Sequence, residues 1–424
     1  MKQLKLRFCK GEYIPFLHRI QWICVLSLFV FFNTCAKQTN RIDPPKAYKE
    51  VVEKLRVYIE HEMEDKGLPS FSMVLVDDQD IVWAEGFGFE DPETGKPATA
   101  QTVYRIGSVS KLFTDIGIMQ LVEQGEIDLD TPITKYLPNF QPRNPYNRPI
   151  TLRQLMSHRS GLLREPLVGN YFDDTEPSLT QTVESIANSE LVYEPETKIK
   201  YSNAGIAVVG YTLEYLNNRP FVSYLKEAVL NPMGLKNSAF EPTPFVKRNL
   251  AKAFMWSYDG RKFQAPTFEL GMAPAGCMYA PITDLGIFMT VMFNGGKGVK
   301  GQVLRRETLE EMWTPQFGSG PNQGYGIGFG ISEQSGYKRV GHGGAIYGFA
   351  TQLYMLPELK LGAASATSVD VSNSVTRRIT AYALDLMMAV REIGNSSKWE
   401  TSDERSNNAK KMFSNSAPGT CPGV

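Results

Sequence analysis

Strand-forming segments lie at both ends of the span from residue 47 to residue 391, with a long helix-forming stretch between them. That order constrains the fold more than any other feature, because separated strands must meet in one sheet to satisfy their backbone groups and bury their apolar faces. The first segment is helical over residues 48–66, where Val51, Val52, Leu55, Ile59 and Met63 share one face and Gly67 marks a stop. Residues 71–76 and 81–87 flank Asp77-Asp78-Gln79-Asp80 and read as an antiparallel hairpin. The stretch from Ser108 to about Phe240 is mostly helical, strands return over residues 337–367, and Val375, Ile379, Tyr382, Leu386, Met387 and Val390 mark a closing helix. The expectation is an α+β fold, an antiparallel sheet flanked by terminal helices plus a mostly helical lobe, with a groove between the lobes. No internal repeat is visible.

Three short patterns carry the chemistry, in the order Ser108-Val109-Ser110-Lys111, Tyr201-Ser202-Asn203 and His342-Gly343-Gly344. Ser108 precedes Leu112, Ile116, Met119, Leu121 and Val122 at helical spacing, which puts its hydroxyl at a helix N-terminus, where unpaired N–H groups favour an oxyanion. Lys111 shares that helical face and is in reach of the hydroxyl. Its amine is a base only if burial or positive potential pulls its pKa well below about 10.4, so the site should be desolvated. Tyr201 stands before a second helix, where its phenol can relay a proton, and Asn203 has a donor and an acceptor to orient a substrate amide. Gly343 and Gly344 permit close backbone approach, and the N–H of Ala345 is the natural second oxyanion donor opposite that of Ser108. Further Ser-x-x-Lys copies at Ser223 and Ser335 read as an ordinary helix face and a turn, and Lys360-Leu361-Gly362 is a rival to the third pattern.

These residues resemble the serine β-lactamase and penicillin-binding protein superfamily, whose signatures include Ser-x-x-Lys. The likeness is closest to its class C β-lactamase-like branch, where a tyrosine motif replaces Ser-Asp-Asn. Residues 104–111, 152–162 and 232–235 resemble framework segments of the same family. The resemblance implies a β-lactamase/transpeptidase-like fold and an acyl-enzyme on Ser108. It further implies that Lys111 and Tyr201 share general-base and general-acid duty, that Asn203 holds the substrate amide, and that residues 342–345 line the substrate edge. Two departures stand out. His342 replaces the lysine of a Lys-Thr-Gly motif, and with a reference pKa of about 6.5 it is only partly charged near neutral pH. That shifts the expectation from β-lactams toward D-alanyl peptides or small esters. Glu196 stands where the family has glycine, a change expected to alter a loop.

Other matches are set aside. His61-Glu62 lacks the second histidine of a zinc motif, residues 295–298 lack the spacing of a phosphate loop, and there is no Gly-x-Ser-x-Gly. His158 is assigned a structural role near the groove wall. No metal or organic cofactor is needed. The 45 basic and 45 acidic residues balance, with no basic stripe for nucleic acid. An apolar run over residues 20–32 follows a basic segment, so residues 1–35 read as a secretory signal, with Cys35 as a lipidation site in a loose lipoprotein box; the alternative is an uncleaved signal anchor. Either places residues 47–391 in a bacterial envelope (periplasm), tethered to a membrane, after a linker over residues 36–46. Residues 392–424 read as a disordered tail. The function expected is hydrolysis of an amide or ester in a small-molecule or peptide substrate; the alternative is a non-catalytic binding or scaffold protein on the same fold.

Overall fold

The computed structural model describes residues 41–396 apart from 318, 319 and 321. The signal segment, Cys35 and the tail beyond 396 lie outside the described residues. Helix α1 (Lys49–Lys66) ends at Gly67, whose φ of 59° is the left-handed cap that the sequence places there. Strands β1 (Ser70–Asp77) and β2 (Asp80–Asp91) form the expected hairpin, and β3 (Lys96–Pro97) extends it. Helix α2 (Ser110–Glu123), helix α3 (Asn203–Asn217) and helix α4 (Ile282–Phe293) follow. The chain then returns to the sheet as β4 (Gly324–Tyr325), β5 (Gly330–Gln334), β6 (Tyr337–Ile346), β7 (Phe349–Leu356) and β8 (Leu361–Thr367). Helix α5 (Asn373–Ser396) closes the fold and runs several residues past the point where the sequence places the tail.

The strands form one antiparallel sheet of eight in the order β4-β5-β6-β7-β8-β1-β2-β3. The two ends of the sequence meet at β1 and β8, where Phe71 pairs with Thr367 and Asp77 with Leu361. Strand β1 is buried on both faces, which explains its nearly unbroken apolar run. Phe71, Met73 and Leu75 pack with Leu55 and Ile59 of α1 and Ile379 and Met387 of α5, while Val74 and Val76 join the larger core of the other lobe. Within the segment read as a linker, Ile42 makes an isolated antiparallel bridge to Ala84 of β2. Between α2 and α3 the lobe is less helical than its sequence suggests, with short helices Leu152–Met156 and Leu179–Ala187 set in long turns. Among the described residues, no helix is long and apolar enough to cross a membrane.

Candidate active site

Ser108 sits in a single 3-10 turn, Gly107–Val109, that leads directly into α2. The turn is pinned from below, because Ser110 Oγ donates to the Gly107 carbonyl at 2.6 Å and accepts from the Met278 N–H at 3.0 Å. Gly107 has φ of 51°, and a Cβ there would stand 2.6 Å from the Ala345 nitrogen. The opposing Gly344 is equally constrained, since a Cβ would fall 1.9 Å from the Ile106 carbonyl oxygen and 3.2 Å from the Ser108 nitrogen. The end of β6 is thus pressed against the Ser108 turn backbone to backbone. The sequence assigns Gly344 to substrate approach; its structural demand comes from the protein's own chain.

Lys111 Nζ lies 3.1 Å from Ser108 Oγ and donates to the Ala275 carbonyl at 2.5 Å. Lys111 is fully buried, and desolvation lowers its amine to about 7, with the Glu165 and Asp115 carboxyls acting in the opposite direction. Near neutral pH the amine is therefore available as a base. The Tyr201 ring lies with its centroid 4.8 Å from Lys111 Nζ. Its hydroxyl is buried and makes no hydrogen bond of ordinary geometry, although the Ser108 hydroxyl is near enough to favour the phenolate slightly. Desolvation outweighs that and raises the phenol far above its usual value. Near neutral pH the Tyr201 phenol therefore holds its proton, and of the two groups it is the Lys111 amine that can accept one.

His342 is not the partly charged group that its sequence suggests. Desolvation, then the Lys111 charge, lower its ring to about 4. Its Nε2 lies 2.8 Å from the Tyr325 hydroxyl, which is also 3.2 Å from His158 Nε2. The backbone N–H of Ser202 donates to His158 Nδ1 at 3.3 Å, so His158 carries its proton on Nε2 and donates to Tyr325. Tyr325 then donates to His342 Nε2, and His342 donates from Nδ1 to the Gly343 carbonyl at 2.5 Å. Every proton in this chain is assigned by the next, and both imidazoles are neutral. The His158 ring lies beside that of Tyr201, with centroids 4.2 Å apart and planes inclined by 43°.

Asn203 opens α3 behind the cap formed by Ser202, whose Oγ accepts from the Gly205 N–H at 2.8 Å. Its Nδ2 donates to both oxygens of Glu165 at 2.9 Å, and its Oδ1 is buried without a donor. Sequence reasoning missed Tyr325, Glu165 and Asp115. Asp115 is one turn beyond Lys111, fully buried, with neither oxygen hydrogen-bonded, and burial holds its carboxyl well above the usual range. Gly328, at φ of 76°, clears room for it, since a Cβ there would lie 2.5 Å from Asp115 Oδ2. Glu196 occupies the left-handed region at φ of 69°, where the family has glycine, and is held by Gln154 at 3.0 Å and Arg148 at 2.8 Å.

The rival motifs stand apart from this cluster. Lys360 pairs with Asp78 at 3.0 Å in the turn beside the first hairpin, and Ser335 lies in the β5–β6 turn at φ of 52°, bonded to Asp385. Cys277 is buried, with burial raising its thiol to about 11. Among the described residues, no cluster of His, Cys, Asp and Glu has the makings of a metal site.

The family model described as Beta-lactamase matches residues 55–387. Beta-lactamase-like protein 2 of Dictyostelium discoideum is 34% identical over 340 residues, covering 76% of this chain and 60% of that protein. The chain spans about half to two thirds of the length of the curated relatives it matches, from 48% to 65%. Among solved structures, the octameric penicillin-binding protein homologue from Pyrococcus abyssi is similar at a TM-score of 0.70 and 28% identity, over 80% of this chain and 77% of that one. D-amino acid amidase from Ochrobactrum anthropi SV3 is similar in fold at a TM-score of 0.66 and 21% identity, over 81% of this chain and 100% of that one.

Proposed function

Because the chain belongs to the beta-lactamase family, matched across residues 55–387, we propose that it hydrolyses amide or ester bonds through an acyl-enzyme on Ser108. One observation carries this reading: the Ser108 hydroxyl lies 3.1 Å from an amine that full burial has brought to about 7. Lys111 takes the hydroxyl proton as Oγ bonds to the substrate carbonyl carbon, and the carbonyl electrons move onto oxygen. The N–H groups of Ser108 and Ala345, on the two backbones in close contact at Gly107 and Gly344, receive that oxyanion. As the intermediate collapses, the bond to the leaving nitrogen or oxygen breaks, and the Lys111 proton reaches the leaving group by way of Tyr201. Water then repeats the sequence on the acyl-enzyme, with Lys111 again as base.

The neutrality of His342 and His158 favours substrates without a carboxylate at that edge, in keeping with esters and amides more than β-lactams. The resemblance in fold to an enzyme described as D-amino acid amidase supports the amide side of this reading. The envelope location, with Cys35 as the lipid-bearing residue, belongs to the same proposal. Ser108→Ala is the test: it should abolish covalent labelling by a fluorophosphonate while Ser223→Ala and Ser335→Ala label like the wild type. Equal labelling of the Ser108→Ala protein sinks the assignment.

A further inference from the structure

An asparagine that holds a substrate's amide carbonyl must have an N–H to offer, and Asn203 has none to spare. Both contacts of its Nδ2 go to Glu165, and the residue is only 1% exposed. What reaches the surface at this point is the Glu165 side chain, 27% exposed. It is close to the reaction centre, since its partner Arg164 lies 5.4 Å from the centroid of the Tyr201 ring and its own charge acts on the Lys111 amine. The same carboxyl acts on Tyr171, Tyr201 and Tyr347. Tyr171 and Tyr347 meet edge to face at 5.8 Å, and Phe268 lies 5.1 Å from Tyr347, all three partly exposed. An acidic group in the neighbourhood of aromatic rings attracts an organic cation through both its charge and the ring quadrupoles. Arg164 competes for one oxygen only, Oε1 at 3.1 Å, and with 65% of its side chain exposed it is a solvent-screened partner.

Building on the reading of Ser108 as nucleophile, we propose that Glu165 receives the free ammonium group of the substrate beside the bond to be cut. The preferred substrates are then amides or esters of an unblocked amino acid or peptide, and N-acylated counterparts are poor. An ammonium group replaces Arg164 at Glu165 and lies against the rings, while an N-acyl group brings neither charge nor enough donors. The preference exists only while the substrate amine is protonated, so it fades as pH rises through about 8, the usual range of an α-amino group.

The experiment uses competition, so that it does not depend on which bond is cut fastest. Hydrolysis of p-nitrophenyl acetate by the full chain is inhibited with alaninamide and with N-acetylalaninamide, each as both enantiomers. For the better enantiomer at pH 7 the unblocked amide should compete about tenfold more strongly, a ratio that shrinks above pH 8. Glu165→Gln should bring the ratio toward one, and Glu165→Asp should restore part of it. Equal competition by blocked and unblocked amides in the wild type overturns the proposal, and that comparison stands even if a variant misfolds. Absence of both p-nitrophenyl acetate hydrolysis and fluorophosphonate labelling in the wild type would instead refute the reading of Ser108.

Discussion

The two faces of β1 meet opposite kinds of neighbour. Toward α1 and α5 the core is apolar, with Phe71, Met73 and Leu75 against Leu55, Ile59, Ile379 and Met387, and the polar groups there pair with one another, Asp77 with Arg391 and Ser365 with Thr380. Toward the other lobe the core is larger but holds fully buried Lys111 and Asp115, and nearly buried His158 and Asn203. Apolar burial stabilises each face by about 25 cal/mol per Å² removed from water. Only the second face gives some of that back. Holding an amine at about 7, against 10.5 in the unfolded chain, withholds about 5 kcal/mol at neutral pH and below. One face of a strand serves persistence, and the other spends part of that persistence on reactivity.

Lys111→Met should break this comparison most sharply. The labelling rate should drop about 10³-fold, since the general base is lost. Stability should rise. The unfolded amine binds its proton up to about pH 10.5 and the folded one only up to about 7, so between these limits the unfolded chain holds more protons and wild-type stability climbs with pH. The gain from methionine is therefore largest below pH 7 and fades toward pH 10.5. Urea unfolding of both proteins at pH 6 and pH 10 measures it, and a pH-independent difference would contradict a neutral amine. Wild-type activity should in turn increase as pH rises through about 7.

On the apolar face, Leu55→Ala should cost about 2–5 kcal/mol in the same unfolding experiment, while the labelling rate per folded molecule stays that of the wild type. A change in rate would mean that the two faces are coupled through the strand. The smallest effect is expected from Tyr325→Phe, which leaves His158 and His342 without their shared partner. About 1–3 kcal/mol of stability should go, with less than about a tenfold change in labelling. Nitrogen shifts of the His342 ring should report mixed tautomers where the wild type shows one.

How much of this was readable in advance follows from the range of the interactions. The span of α1, its stop at Gly67 and the β1–β2 hairpin follow from periodicity and turn residues within a few positions of each other. Ser108 and Lys111 were legible for the same reason, since three residues along a helix suffice to bring them together. Tyr325 was not, because its partners lie in distant segments and it sits in a two-residue strand with no periodicity. The closely spaced glycines around it were the only local sign that backbones crowd there. Asp115 was within reach, as a carboxylate one turn after the lysine in a helix otherwise buried and largely apolar. Glu165 had no signal of its own, since its pairing with Asn203 joins residues 38 positions apart in the chain.

The bare contact between Gly107 and the end of β6 has a temporal consequence. Ser108 is made early in synthesis, and the segment carrying Ala345 emerges only when most of the domain has already left the ribosome. In the proposed mechanism, until the end of β6 is in place the serine has no second N–H to receive negative charge. A nascent chain is in that sense unarmed, and competence arrives with completion of the sheet.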